Sequence, residues 1–260
     1  MISSSGNIQI KEIIKLQKSA KHRRKEETFI VEGRKMFEEA KELRLIKKAY
    51  VSEYYYREVC KENTNYFEGV SYEIISEQVL KEISDTVTPQ GIIATVKMPK
   101  YQLESFFCGE QIKILFLENL QDPGNLGTIM RTAEGAGMTG LILSKGSVDF
   151  YNPKTVRSTM GSLFRVPFVY AEDLKKALHA AKKQGITLYA AHLEGTNDYD
   201  KERWNSKSGI LIGNEANGLS EDISELADVK VKIPMCGKLE SLNASIAAGI
   251  LMYELFRQTG

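Results

Sequence analysis

Three segments of the sequence place glycines and polar side chains directly beside apolar runs. Glycine-bearing turns of this kind expose backbone N–H and C=O groups and let a ligand approach them closely. The combination predicts a binding site made largely of backbone, with one guanidinium and a few amide, hydroxyl and carboxylate groups around it. The segments are LENLQDPGNLGTIMRTAEGAGM (117–138), LIGNEANGLS (211–220) and IPMCGKLESLNASIAAGILMYEL (233–255). The accompanying side chains are Asn119, Arg131, Glu215, Ser241 and Asn243.

The elements that must position these segments alternate between strand and helix patterns from residue 113 onwards. The strands, such as KILFLEN and SGILIGNE, are short apolar runs, which is typical of a parallel sheet covered on both faces. Ligands in such sheets bind beyond the carboxyl ends of the strands. We therefore expect the three segments to meet at one edge of the sheet, although each alone is also compatible with an ordinary turn, a tight bend or a core helix.

A second alternating series occupies the first hundred residues and predicts a small α/β domain. It contains a basic helix over 7–21 and strands such as TFIVEG and GIIATVK. The segment MPKYQLESFFCGEQ that follows has no clear period. We therefore predict an N-terminal domain over 1–98, a linker over 99–111 and a C-terminal domain over 112–260.

Charge is unevenly distributed, although the net charge is only +1. Seven basic residues and a single acid lie between Lys11 and Lys25. Such a cluster fits a phosphate backbone, and it equally fits a solvated helix face.

The three cysteines and three histidines show no metal-binding spacing, which argues for a reducing compartment and against a zinc site. The first ten residues contain no apolar segment of signal-peptide length. The longest apolar run, AGILMYELF, is too short to span a bilayer. We expect a cytoplasmic protein without a metal or a membrane partner.

In their order and intervals, the three segments resemble the signature motifs of the SpoU (TrmH) family of RNA ribose 2′-O-methyltransferases. The resemblance covers roughly residues 113–260, and TFIVEGRKMFEEA (28–40) is similar to the family's ribosomal-protein-like RNA-binding domain. It implies an α/β fold whose parallel sheet carries a deep trefoil knot. It also implies S-adenosylmethionine as methyl donor, RNA as substrate, and a homodimer formed through the knotted domain.

The resemblance also implies roles for individual residues. It implies a catalytic role for Arg131, and two forms of that role are open. Arg131 acts either as the general base or, since a guanidinium stays protonated in proteins, by holding a phosphate and stabilising the developing alkoxide. Glu215 is expected either to pair with Arg131 or to accept loop amides. The catalytic positions are Asn119, Arg131, Glu215, Ser241 and Asn243. The donor-binding positions are Gly213, Ile233, Met235, Leu242 and Asn243. The basic segment and its neighbours add expected RNA contacts at Lys18, Lys21, Arg23, Arg24, Lys25, Arg34 and Arg157.

Two other functions compete with this interpretation. An RNA-binding protein of the same fold without catalytic activity is opposed by the intact set of five polar residues. A nucleotide-dependent oxidoreductase is opposed by the lack of a G-x-G-x-x-G after a strand, since GAGMTG (135–140) closes a helix. The N-terminal domain favours large-subunit rRNA over tRNA as the substrate.

Overall fold

A computed structural model describes all 260 residues, which divide into two compact units. The first unit comprises Met1–Pro99 and Asp149–Phe164, and the second comprises Lys100–Val148 and Arg165–Gly260. The first unit thus includes a segment from the middle of the chain. Sequence periodicity does not reveal this, because the segment has the same helical spacing as its neighbours. The domain boundaries given above, with a linker over 99–111 between two domains, remain a prediction.

The first unit contains a mixed four-stranded sheet in the order β1-β4-β2-β3. Strand β4 pairs antiparallel with β1 and β2, and β2 pairs parallel with β3. The strands are β1 (Thr28–Glu32), β2 (Ile46–Ser52), β3 (Tyr72–Ile75) and β4 (Ile92–Lys97). The helices that precede and connect them are α1 (Ile8–Lys18), α2 (Ala20–Glu26), α3 (Arg34–Glu42), α4 (Glu53–Glu62) and α5 (Glu77–Ile83).

The predicted single basic helix over 7–21 is wrong, because the structure has two helices that meet at Ser19. The Ser19 hydroxyl accepts the His22 N–H at 3.1 Å and so caps the start of α2. Helix α1 buries Ile10, Ile13 and Leu16 in the core of the first unit. The basic residues are therefore divided between two helices.

The second unit is built on a seven-stranded sheet in the order β7-β6-β5-β10-β8-β11-β9. Every neighbouring pair is parallel, which confirms the predicted parallel α/β architecture. The strands are β5 (Ile112–Leu117), β6 (Gly140–Ser144), β7 (Phe168–Ala171), β8 (Thr187–Ala191), β9 (Asn197–Asp198), β10 (Lys207–Ile212) and β11 (Val229–Lys232). Its helices are α6 (Pro123–Gly135), α8 (Leu174–Lys183), α9 (Glu221–Ser224) and α10 (Ala244–Thr259), while α7 (Pro153–Ser158) belongs to the first unit.

The segment predicted as a linker packs into the second unit. Leu103–Phe107 forms a short 3₁₀ helix, and Phe106 and Phe107 are buried in the same hydrophobic cluster as Ile114 and Leu188 of the sheet. Two large aromatic side chains removed from water contribute substantially to that core. The absence of a regular period in this stretch therefore does not mean that it is solvent-exposed.

Three loops at the carboxyl ends of β5, β10 and β11 correspond to the three sequence segments. We call them the first loop (118–122), the second loop (213–220) and the third loop (233–243). Helix α10 starts at Ala244, because Asn243 caps it by accepting the Ser245 N–H at 2.9 Å. No helix of the protein combines the length and apolar character needed to cross a membrane.

Candidate active site

The second and third loops enclose a cavity of about 240 Å³ with the ends of strands β8, β10 and β11. Its walls are largely apolar, and its remaining surface is glycine backbone and a few polar side chains. A cavity of this kind suits an adenosine-sized ligand whose ring is covered by aliphatic groups and whose edges meet backbone N–H and C=O groups. The apolar lining residues are Ala191, Leu193, Ile212, Ala216, Val231, Ile233, Met235, Leu242, Ala244 and Ala247.

The second loop is folded tightly on itself. Asn214 and Gly218 exchange both of their backbone hydrogen bonds at 2.9 Å, and the Asn214 Oδ1 accepts the N–H groups of Ala216 and Asn217. A Cβ on Gly213 would lie 2.0 Å from the carbonyl carbon of Gly218. Only glycine therefore fits at 213, where the chain leaves strand β10 and enters the cavity wall.

Glu215 connects the second loop to the first. Its carboxylate accepts the N–H groups of Gln121 and Asp122 and the Asn125 Nδ2, each at 3.1 Å. The sequence left two roles open for Glu215, and the structure shows it bound to loop amides rather than to Arg131.

The ionisation of Glu215 matters for this connection. Burial raises the pKa of the carboxyl, but the hydrogen bonds from Asn125 and the loop amides outweigh burial and hold the pKa below its usual value. The connection between the loops is therefore complete at neutral pH, and it weakens only as the pH falls through that lowered pKa.

A second connection between these loops involves a residue that sequence reasoning missed. Glu118 is buried at the end of β5, and its carboxylate accepts both the N–H and the hydroxyl of Ser220, at 2.8 and 2.7 Å. In addition, the Asn214 Nδ2 donates to the Asn119 carbonyl at 2.8 Å. The sequence does contain an indication of this role. Glu118 ends the apolar run KILFLE, and a carboxylate buried with such a strand needs hydrogen-bond partners.

The third loop completes the arrangement. Ser241 lines the cavity, and its hydroxyl makes no hydrogen bond within the chain. Asn243 donates its Nδ2 to the Asn125 Oδ1 at 3.0 Å while its own Oδ1 caps α10. The Asn243 amide thus joins the third loop to the start of α6.

Arg131 is the predicted site residue that the structure does not bring to the cavity. It lies in the second half of α6, about 9 Å along the helix axis from Asn125. Its side chain is exposed and makes no hydrogen bond or ion pair within the chain. The structure thus gathers Gly213, Glu215, Ile233, Met235, Ser241 and Leu242 around one cavity, places Asn119 and Asn243 beside it, and leaves Arg131 outside.

His192 also lines the cavity and was not predicted. It follows strand β8, and its Nδ1 accepts the Glu194 N–H at 3.1 Å. A neutral imidazole in this arrangement carries its proton on Nε2. The signal in the sequence was a single polar residue ending the apolar run TLYAAH.

Arg23 is a correction to the predicted RNA contacts. It is only 3% exposed, and its guanidinium binds the Asp149 carboxylate and the carbonyls of Leu16 and Gln17. Arg23 therefore holds the Asp149–Phe164 segment within the first unit, and it is not available to a phosphate. Its partner Asp149 is 126 residues away in sequence, so charge patterning had no means of identifying the pair.

Two further arginines from the predicted RNA contacts have protein partners. Arg34 binds Glu38 and Glu62 at 2.7 and 3.0 Å, and Arg157 binds Asp85 at 2.6 Å. The remaining cations are exposed on α1 and α2, and we call them the basic face. The basic face consists of Lys11, Lys15, Lys18, Lys21, Arg24 and Lys25.

Comparison with protein families gives two matches that together cover most of the chain. Residues 113–253 match the SpoU rRNA Methylase family. Residues 7–94 match the MRM3-like substrate binding domain.

Individual relatives match over nearly the full length. The chain is 33% identical over 254 residues to the 23S rRNA (guanosine(2553)-2′-O)-methyltransferase RlmP of Bacillus subtilis, covering 98% of each chain. An AdoMet-bound rRNA methyltransferase from Sinorhizobium meliloti superimposes with a TM-score of 0.87 at 30% identity, over 98% of this chain and 97% of that one. The SpoU methyltransferase AviRb from Streptomyces viridochromogenes, in complex with AdoMet, gives a TM-score of 0.87 at 29% identity over 97% and 98% of the two chains.

Proposed function

The chain belongs to the SpoU family of rRNA methylases, and from this premise we propose that it transfers a methyl group from S-adenosylmethionine to a ribose 2′-hydroxyl of large-subunit ribosomal RNA. The observation that carries the proposal is the shared cavity, which is walled by two loops distant in sequence. The second loop is bonded to the first loop and to the start of α6, and the third loop is bonded to the start of α6. The RlmP relative, which matches over 98% of both chains, supports large-subunit rRNA as the substrate.

The residues present fit S-adenosylmethionine. Gly213, Ile233 and Leu242 line the cavity, and aliphatic side chains such as Ile212 and Val231 provide cover for an adenine ring. When bound there, S-adenosylmethionine supplies a methyl group already activated by its sulfonium.

The residues of the chain then have to position the ribose and manage charge. Asn119 and Ser241 offer an amide and a hydroxyl to orient the ribose beside the cavity. Arg131 binds an RNA phosphate and stabilises the negative charge that develops on the 2′-oxygen. Glu215 does not serve as the base, because its carboxylate holds the loop amides, and the hydroxyl proton leaves to an RNA phosphate oxygen or to water.

The proposal is tested by incubating the purified protein with S-adenosylmethionine and unmodified large-subunit rRNA, followed by digestion and mass spectrometry of the nucleosides. We expect one 2′-O-methylated nucleoside, at a single site. Methyl groups found only on bases, or only in tRNA offered in parallel, would refute it. RNA binding without any methyl transfer would instead favour a non-catalytic RNA-binding protein.

The proposed RNA-binding surface of the first unit is the basic face. Its six cations are exposed, and Lys11, Lys15 and Lys18 share one side of α1 by their spacing. The match of residues 7–94 to a substrate-binding domain supports this location. Contacts to phosphates position the RNA but do not recognise its sequence. Recognition of loops and single-stranded bases requires contacts from other residues.

Reversing two charges of the basic face is expected to weaken RNA binding without changing donor affinity. For Lys18→Glu combined with Arg24→Glu, we expect the slope of log K against log salt to fall by about 2, because two phosphate contacts are lost. Filter binding at several salt concentrations measures the slope, and calorimetry measures S-adenosylmethionine affinity.

The matched control is Lys176→Glu combined with Lys183→Glu, which makes the same charge change at exposed positions of α8. Equal losses of RNA affinity in the two double variants would mean that net charge, and not the basic face, governs binding.

The proposed assembly is a homodimer formed through a trefoil-knotted second unit. Helix α10 exposes an apolar stripe of Ile246, Tyr253 and Phe256, which are 53%, 50% and 44% exposed and share one side of the helix. Helix α6 packs beside α10, where Gly135 meets Tyr253. Arg131 is exposed on α6, so in the proposed dimer it reaches the substrate at the interface rather than from within the cavity of its own chain.

Ile246→Glu is expected to convert the dimer to a monomer, because it buries a charge within the proposed interface, at the most exposed residue of the stripe. Light scattering after size-exclusion chromatography measures the mass. Leu43→Glu, at an apolar residue of the first unit that is 50% exposed, is the control and is expected to remain dimeric. A native protein that elutes as a monomer at all concentrations would rule out the proposed assembly.

A further inference from the structure

Residues at the carboxyl end of strand β6 contact Asn119, and no pattern in the sequence predicts this contact. The Ser144 Oγ accepts the Asn119 backbone N–H at 2.8 Å and donates to the Asn119 Oδ1 at 3.1 Å. The Ser144 hydroxyl also lies 3.3 Å from the Ser147 Oγ, and we assign its proton to the Asn119 Oδ1, which is the nearer acceptor. One serine thus fixes both the backbone and the side chain of Asn119.

Gly146 contacts the same side-chain oxygen from a second direction. A Cβ at this position would lie 2.3 Å from the Asn119 Oδ1. The backbone of Gly146 is not in the left-handed region, so nothing else about the position requires glycine. The Gln121 Nε2 also bridges the carbonyls of Gly146 and Asn119, at 2.8 and 3.0 Å.

Asn119 itself has a left-handed backbone, with φ of 49°. Non-glycine residues adopt this conformation at a cost, and asparagine tolerates it better than most. Its side chain is exposed, and its Nδ2 makes no hydrogen bond within the chain. With Oδ1 held by Ser144, the amide presents Nδ2–H as a donor in a fixed direction.

We propose that Ser144 and Gly146 are positioning residues for methyl transfer, which fix the Asn119 amide so that its Nδ2 donates to an oxygen of the substrate ribose. This inference rests on the proposed function, in which Asn119 orients the ribose. Neither Ser144 nor Gly146 lines the cavity, and both act through Asn119. The Ser144 hydroxyl orients the Asn119 amide, and the absence of a side chain at Gly146 leaves room for the amide oxygen.

The test compares Ser144→Ala, Ser144→Thr and Gly146→Ala with the native protein, in the rRNA methylation assay. Ser144→Ala is expected to lower kcat about tenfold, because one orienting hydrogen bond is lost. Ser144→Thr keeps the hydroxyl and is expected to restore most of the rate. Gly146→Ala is expected to lower kcat about 100-fold, because it displaces the amide by about an ångström. Affinity for S-adenosylmethionine and the KM for RNA are expected to stay within a factor of about two in each variant.

A second set of variants separates positioning from a general structural role. In an Asn119→Gly background, which keeps the left-handed backbone but removes the amide, Ser144→Ala and Gly146→Ala are expected to cause no further loss of kcat. Equal losses in both backgrounds, an unchanged kcat in the single variants, or a parallel loss of donor affinity would each overturn the inference. A native protein that fails to methylate rRNA would instead overturn the proposed function.

Discussion

Arg131→Ala is expected to lower methyl transfer to rRNA by about 100- to 1000-fold, which is the usual effect of removing one group that stabilises a developing oxyanion. Donor affinity is expected to be native, because Arg131 does not line the cavity. The fold is expected to be native as well, because the Arg131 side chain is exposed and bonded to nothing else in the chain. An exposed arginine without a protein partner is free for an RNA phosphate, which it can bind through two parallel hydrogen bonds.

Two companion variants sharpen the Arg131 result. Arg131→Lys keeps the charge but loses the planar pair of donors, so an intermediate rate is expected. Arg203→Ala removes another exposed arginine of the second unit that forms no ion pair, and it is expected to methylate at the native rate. Single-turnover rates and calorimetry with S-adenosylmethionine measure the two effects separately. Native methylation by Arg131→Ala would remove this residue from the mechanism.

Gly213→Ala is expected to abolish measurable binding of S-adenosylmethionine. The new Cβ would lie within 2.3 Å of three backbone atoms of Gly218 and Leu219, and backbone cannot yield as a flexible side chain does. The second loop is also held at both ends, by Glu215 and by the Glu118 pair with Ser220. Overpacking of this kind costs about 1–3 kcal/mol of stability, and relief by shifting the loop would deform the cavity wall.

The control for Gly213→Ala is Gly237→Ala in the third loop, where no atom lies within 4 Å of the added Cβ. We expect Gly237→Ala to bind the donor with native affinity. Trp204 is the sole tryptophan and stacks on Tyr189 of strand β8 with ring centroids 4.2 Å apart, so its fluorescence reports unfolding of the second unit. A folded Gly213→Ala protein that binds S-adenosylmethionine normally would show that the second loop does not form the donor site.

The parallel sheet and the meeting of three loops were predictable. Short apolar strands that alternate with helices indicate a parallel sheet, and binding loops follow the carboxyl ends of its strands. The exposure of Arg131 could also have been predicted from the sequence. Leu126, Ile129, Met130 and Ala133 are buried, and their helical spacing places Arg131 on the opposite side of α6. The expectation that Arg131 adjoins the other site residues came from family resemblance, which does not specify whether they share one chain.

Other features depend on contacts between distant residues and leave no local pattern. The Glu118 pair with Ser220 spans 102 residues, and the Ser144 bond to Asn119 spans 25. The sequence does not distinguish the buried Arg23 from its exposed neighbour Arg24, because both lie in the same basic run. Arg23 is buried because it pairs with Asp149, which is distant in sequence. Periodicity identifies which faces of an element are buried, but it does not pair side chains across the fold.

The central claim is that this protein methylates a ribose of large-subunit rRNA, and mapping 2′-O-methyl groups in rRNA from cells with and without its gene tests it most directly. We predict that one site in the large-subunit rRNA loses its methyl group without the gene. The native gene is expected to restore the methyl group, and the Arg131→Ala variant is not. Identical maps in the two strains, with full 2′-O-methylation in both, would contradict the account.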